Sequence, residues 1–318
     1  MNRRFFQQPA RKITEGWITP SLFCAFVQSG LTAHRIHSAA EAWIERFGND
    51  LLLSYKTETG RDAALAGLPA WTEAAEFSPR RIFGRYLPEK NEERGAPLLL
   101  EGDPEAPLNT VVEENGMRFG VSFDAGYSAG LFIDQRANRA LLRKARVKRL
   151  LNTFAYTCSF SVAAALSGAG TVSIDLSRKS LDRGSENFAL NGLDSSPSGQ
   201  HRFLADDVMT ALPRLARKGE RFDAIILDPP TFSRGHKGRR FQVEDDFEAL
   251  LLAAMEVATD RARILLSTNC TRLTRRALEN IARFCLKATR RAADFHTEPE
   301  LPDVPASAAA QTVWVLLK

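Results

Sequence analysis

The sequence predicts an α/β protein in two parts. A smaller N-terminal α/β domain with a β-hairpin precedes a larger domain built on a seven-stranded, mainly parallel sheet. Three observations carry this reading. From residue 148 onward, short apolar runs alternate with helix-length segments, the pattern of βαβ units with right-handed crossovers. One run, Ala224-Ile225-Ile226-Leu227, ends on Asp228-Pro229-Pro230. Proline cannot continue a central strand, so a carboxylate is fixed at the strand's carboxyl end, the edge where open α/β sheets bind ligands. Upstream, residues 107–123 alternate about Asn115-Gly116, a dipeptide suited to a two-residue hairpin turn with positive φ.

The totals fit that division. A chain of 318 residues accommodates roughly two domains of about 150 residues, and the boundary is read as 1–125 and 126–318. Hydrophobic residues are 44% and charged residues 25%, ordinary usage for a globular protein. A net charge of +5 is compatible with a polyanionic partner. No run approaches the roughly 20 apolar residues of a membrane span, and the basic N-terminus lacks the apolar core of a secretory leader. Cys24, Cys158, Cys270 and Cys285 form no C-x-x-C pair, and the five histidines show no H-x-x-x-H spacing. The expectation is a cytoplasmic protein without a metal site.

In the first domain, Ser38 is read as the cap of a helix from Ala39 to Phe47, and Asp50 to Lys56 as a strand. The charged, Pro/Gly-containing segment SPRRIFGRYLPEKNEERG is read as exposed. Thr110 to Glu114 and Met117 to Phe123 are the arms of the hairpin. Asp134 is the expected N-cap of a solvated amphipathic helix, Gln135 to Ala145. In the second domain, strands are expected at 149–152, 171–176, 202–205, 224–227 and 263–267. Helices follow them, and two further apolar stretches lie at 292–296 and 312–317. Five βα units and a terminal strand pair point to a Rossmann-like sheet.

The loop after the first of these strands, FAYTCSFS, has no G-x-G-x-x-G, which argues against a dinucleotide held by its pyrophosphate. An adenosyl group with a methionine tail needs no phosphate cradle. Asp175 ends the second strand, where a carboxylate can accept from both hydroxyls of a ribose. Asp207, after the third strand, is placed to accept from an adenine amino group. With Asp228 they put acids at three successive strand tips.

LLNTFAYTCSFSVAAA, VSIDLSRKSLDRGSENFALNG, DDVMTALPRL, FDAIILDPPTFSR and RILLSTNC resemble the successive motifs of class I S-adenosylmethionine-dependent methyltransferases. More narrowly, they are similar to those of bacterial large-subunit (23S) ribosomal RNA methyltransferases that modify cytosine C5 or guanine N2. GLFIDQRANR resembles the element that precedes that family's catalytic domain. The likeness covers residues 110–318, and no N-terminal PUA domain is evident. The resemblance implies that Phe154, Tyr156, Thr157, Asp175, Leu176, Asp207 and Asp228 line the S-adenosylmethionine pocket. It places Gln135 and Arg136 near the methionine end. Glycine usually stands where this chain has Cys158, whose larger side chain is expected to narrow the pocket.

Two chemistries are open. For an exocyclic amine, Asp228 and the carbonyls of Pro229 and Pro230 would orient the nitrogen, with Phe232 stacked on the base. For cytosine C5, a thiolate must first add to C6, and Cys270 is the candidate nucleophile. Arg234, Lys237, Arg239 and Arg240 form a basic loop at the same edge, followed by Arg272, Arg275 and Arg276. Arg143 to Arg149 form another cluster. These groups suit RNA phosphates. The alternatives are a methyltransferase for a non-RNA acceptor and a catalytically silent RNA-binding or assembly factor.

Overall fold

The computed structural model describes residues 16–88, 95–196, 199–234 and 240–318. The N-terminal layer is a six-stranded sheet of β1 (Gly16–Trp17), β2 (Ala33–Ser38), β3 (Ala42–Phe47), β4 (Asp50–Tyr55), β5 (Arg81–Tyr86) and β6 (Leu98–Gly102), in that spatial order. Two helices, α1 (Pro20–Gln28) and α2 (Glu58–Ala74), share one core with it through Phe23, Phe26, Leu68 and Trp71. Thr19 and Thr57 cap these helices by accepting from Leu22 N and Gly60 N. Leu51 and Leu53 face that core, whereas Leu52 faces a second core shared with the rest of the chain. The unbroken run Leu51-Leu52-Leu53 therefore reflects a sheet covered on both faces.

Two sequence expectations fail in this layer. The helix expected over Ala39 to Phe47 is strand β3, with Ala42 and Ile44 in the helix-side core and Phe47 in the other. Residues 81–86, expected to be exposed, form the largely buried β5. Their charges are paired inward. Arg81 lies fully buried in a bidentate contact with Asp50 (3.1 and 2.9 Å), and Arg85 donates to Ser54 and faces Glu45.

The hairpin of β7 (Asn109–Glu114) and β8 (Met117–Ser122) is a separate two-stranded sheet, with φ of 52° at Asn115 and 70° at Gly116 as its turn requires. A 3₁₀ turn at Ile133–Gln135 leads into α3 (Arg136–Lys144). Asp134 does not cap this helix; its carboxylate accepts from Ala310 N at 3.0 Å. Nor is α3 solvated. Arg136, Asn138, Arg139 and Leu142 are buried, the arginines because Asp303 and Glu114 meet them.

The chain then runs β9 (Arg149–Thr153), α4 (Ser159–Ala165), β10 (Gly170–Asp175), α5 (Arg178–Leu190), β11 (His201–Ala205), α6 (Val208–Arg217) and β12 (Phe222–Leu227). A short pair, β13 (Phe232–Arg234) and β14 (Arg240–Gln242), precedes α7 (Val243–Met255), β15 (Ala258–Thr268), α8 (Arg275–Ala288), β16 (Ala293–His296) and β17 (Gln311–Leu317). The seven-stranded sheet has the order β11-β10-β9-β12-β15-β17-β16, parallel except where β17 runs against β15 and β16. The order reverses between β9 and β12, which opens a crevice at their carboxyl ends. No described helix is long and apolar enough to cross a membrane.

Candidate active site

A cavity of about 540 Å³ occupies that crevice. Its floor is the loop after β9, in which Phe154, Tyr156 and Cys158 all have positive φ (52°, 47° and 60°). A non-glycine residue pays roughly 1 kcal/mol or more in this region, so the surroundings must enforce the shape. Asp175 accepts from Tyr156 N and Ser177 N, both at 2.8 Å. Thr157 Oγ1 donates to Gly130 O at 2.6 Å, and the Tyr156 hydroxyl donates to Ser128 O at 2.8 Å. Asn187 on α5 donates to Thr157 O and accepts from Gly120 N of the hairpin. The hairpin thus braces the loop through one side chain.

The wall opposite is the Asp228-Pro229-Pro230 turn. Asp228 is only partly accessible to solvent, and burial pushes its carboxyl up to about 6, opposed by a hydrogen bond from Ser267 and assisted by the neighbouring Asp134 charge. Burial likewise raises Asp134 and Asp175, the latter held back by its two backbone donors. A buried relay supports the turn. Trp314 Nε1 donates to Asn138 Oδ1, Asn138 Nδ2 to Gln135 Oε1, and Gln135 Nε2 to Ser267 Oγ, at 2.8, 2.9 and 2.9 Å.

The matched sequence profile decides the family, for it spans residues 61–316 and is that of S-adenosylmethionine-dependent methyltransferases. The chain belongs to this family. It is 44% identical over 165 residues to the ribosomal RNA large subunit methyltransferase K/L of Psychrobacter sp. (strain PRwf-1), covering 51% of this chain and 20% of that protein. It is 33% identical over 220 residues to the ribosomal RNA large subunit methyltransferase I of Shewanella amazonensis, covering 65% and 53%. The chain spans about half the length of these curated relatives, or less. The SAH-bound crystal structure of SMU.776 shares the fold with a TM-score of 0.77 and 24% identity, over 97% of this chain and 83% of that one.

The cavity suits the methyltransferase cofactor. Asp175 and Asp207 stand at successive strand tips, Val208, Met209, Phe154 and Phe241 offer apolar faces, and Asp134 and Asp228 bring carboxylates that would suit a cationic group. Of the residues expected from sequence, Gln135, Phe154, Tyr156, Asp175, Leu176, Asp207, Asp228, Pro229 and Pro230 line this one cavity. Asp207 also caps α6, accepting from Thr210 N at 2.9 Å.

Several expectations need correction. Arg136 lies outside the cavity, bound to Asp303 and Ala33 O, and ties α3 to the N-terminal sheet. Thr157 is buried beneath the loop and shapes it from below. Phe232 is 49% exposed and stands outside the wall; Phe132 and Phe241 supply the aromatic walls instead. Cys270 is 4% exposed, its thiol donates to Glu244 at 3.1 Å, and it lines no part of the cavity, whereas its neighbour Asn269 does. Cys158 does not narrow the pocket. Its side chain is fully buried and points at Gly184 of α5, leaving the thiol pushed up to about 12 by burial.

Among the basic residues, Lys237 and Arg239 fall outside the described residues. Arg234 ends β13, and Arg240 begins β14 and is exposed. Lys148 and Arg149 sit at the amino end of β9, the opposite edge of the sheet, where Arg149 pairs with Glu220. That cluster cannot extend the surface around Asp228. Phe132 and Asn269 also line the cavity, although neither is an acid or a cysteine of the sequence motifs. The legible signals were an aromatic just before Asp134-Gln135 and a polar residue just past a strand tip.

Proposed function

We propose that the protein methylates a base of RNA, with large-subunit ribosomal RNA as the acceptor, by direct attack of a base nitrogen on the methyl group. One observation carries the choice of chemistry: Asp228, Pro229, Pro230 and Asn269 border one cavity from which the Cys270 thiol is excluded. The printed names of the relatives favour ribosomal RNA, and exposed Arg240, Arg275 and Arg276 supply positive charge near the carboxyl edge of the sheet. In this reading Asp175 holds the ribose, Asp207 the adenine amino group, and Gln135 the methionine end.

When bound, S-adenosylmethionine supplies a methyl group that needs no further activation. Asp228 and the carbonyls after it accept the hydrogens of an exocyclic amine such as guanine N2 and aim its lone pair. As the nitrogen–methyl bond forms and the sulfur–methyl bond breaks, the nitrogen sheds a proton. Asp228, raised to about 6, is close enough to neutral pH to take it. The silent-factor alternative rested on Cys158 obstructing the pocket, and its side chain turns away.

Tritiated methyl transfer to RNA from cells lacking the gene, followed by nucleoside mass spectrometry, tests the proposal. The expected product is an N-methylated base. Label in no RNA would end the RNA reading, and 5-methylcytidine would end direct transfer. Cys270→Ala is expected to leave the rate within about threefold of wild type; a loss beyond about a hundredfold in a folded variant would restore the thiolate route.

A further inference from the structure

A second cleft, about 850 Å³, lies between the N-terminal sheet and the methyltransferase domain. One side is the face of that sheet turned away from α1 and α2, including Arg35, Trp43, Glu45 and Arg85. On the other side Phe132, Asp134 and Asn269 border both this cleft and the cofactor cavity. A ligand seated here is presented to whatever lies beside Asp228.

Three features define that ligand. Trp43 Nε1–H and Arg35 Nε–H are buried and lack a hydrogen-bond partner among the described residues. They belong to one cluster, since the Arg35 guanidinium carbon lies 5.2 Å from the Trp43 ring centroid while its Nη2 donates to Glu45 at 3.2 Å. An unsatisfied buried donor costs about 1–3 kcal/mol, so two at one cleft call for ligand acceptors. The charges bordering the cleft balance: Arg35, Lys56 and Arg85 oppose Glu41, Glu45 and Asp134. A phosphate gains no net attraction there, whereas an uncharged polar group is admitted. Finally, Phe132 is 45% exposed at the junction of the two cavities, its ring tilted against that of Tyr156 at 5.6 Å with the rest of it open. Arg139 holds its carbonyl at 2.8 Å. Such a ring is a stacking surface for another planar ring.

We infer that this cleft receives the extruded acceptor base, stacked on Phe132, with two acceptor atoms on the Trp43 and Arg35 N–H groups and its reacting edge towards Asn269 and Asp228. This rests on the RNA reading above. The O6/N7 edge of guanine offers two such acceptors and leaves N2 on the opposite side of the ring. The N-terminal sheet thereby acts as the acceptor-reading half of the site.

Trp43→Phe keeps a ring and deletes the donor. The expected result is a KM for RNA raised about tenfold, with kcat and SAH affinity within about twofold. RNA-dependent quenching of tryptophan fluorescence should also disappear, since of the four tryptophans only Trp43 borders the cleft: Trp17 stacks on Trp71 against the helix-side core, and Trp71 and Trp314 are committed to Ile18 O and Asn138. Phe132→Leu, at a part-exposed position, should likewise raise the KM for RNA about tenfold. If wild type methylates RNA while both variants keep its KM and Trp43→Phe keeps the quenching, the cleft assignment is overturned and the RNA reading stands. If wild type methylates no RNA, the RNA reading fails, and the base as occupant fails with it.

Discussion

Asp228→Asn is expected to lower kcat roughly 10²–10³-fold while making the protein more stable at neutral pH. In the proposed mechanism the activity loss follows from removing the carboxylate assigned to accept the proton of the reacting nitrogen. The stability gain follows from the same burial. In the folded state the carboxyl sits near 6 rather than 3.8, so between these values the folded protein binds more protons than the unfolded chain. The contribution of Asp228 to stability must therefore fall as pH rises through that window. Below about pH 4 both states carry the protonated acid, and the variant and wild type should unfold alike. Above about pH 6 the wild type bears a charge that the fold penalises. At about 1.36 kcal/mol per pH unit the ceiling is roughly 3 kcal/mol; solvent reaching the cavity brings the expected gain to about 1–2 kcal/mol. Urea unfolding of both proteins from pH 3.5 to 7.5 measures this directly. Equal stability across the range, or a gap that closes as pH rises, would contradict the assigned environment of Asp228. Asp134→Asn should move the wild-type decline to lower pH, because the Asp134 charge helps hold Asp228 up.

The methyltransferase sheet was legible because its central parallel strands are apolar runs buried on both faces, two of them closed by an acid at Ile174-Asp175 and Leu227-Asp228. The N-terminal sheet was legible only at β4, for a specific reason. Arg81 and Arg85 read as exposed charges, yet they pair with Asp50 and Glu45 inside the fold. Pairing between residues roughly 30 to 40 apart leaves no periodic trace. Helix α3 misled in the same way: its polar residues point inward to Glu114, Asp303 and Trp314, all contributed by distant segments. Within the site, the strand tips located Asp175 and Asp228, but the direction of side chains just beyond a tip could not be read. The chain leaves β15 after Thr268, and one residue decides between Asn269 in the cavity and Cys270 against Glu244. Cys158 posed the same question, and there the answer lies in a glycine 26 residues later.

That pair supports the second large effect. Gly184→Ala is expected to destabilise the protein by about 2 kcal/mol and to weaken SAH binding about tenfold. Adding Cys158→Gly should recover most of both. A Cβ at position 184 would stand 2.5 Å from the Cys158 sulfur and 3.0 Å from its Cβ. The cysteine is fully buried, so overpacking of this kind costs about 1–3 kcal/mol. The displacement must pass into the loop, because Cys158 directly follows Thr157, whose hydroxyl and carbonyl are both fixed. A loop held left-handed at three alternate residues has little slack, and moving Thr157 shifts Tyr156 in the cavity wall. Cys158→Gly removes the colliding atoms and places glycine where φ is 60°, the conformation it adopts without strain. By itself it exchanges lost sulfur packing for relieved backbone strain, a net change of about 1 kcal/mol or less. The coupling between the two positions should therefore exceed about 1 kcal/mol, measured by unfolding and by calorimetry with SAH in a double-mutant cycle. Strict additivity would mean that Cys158 and Gly184 do not share the space between the cofactor loop and α5.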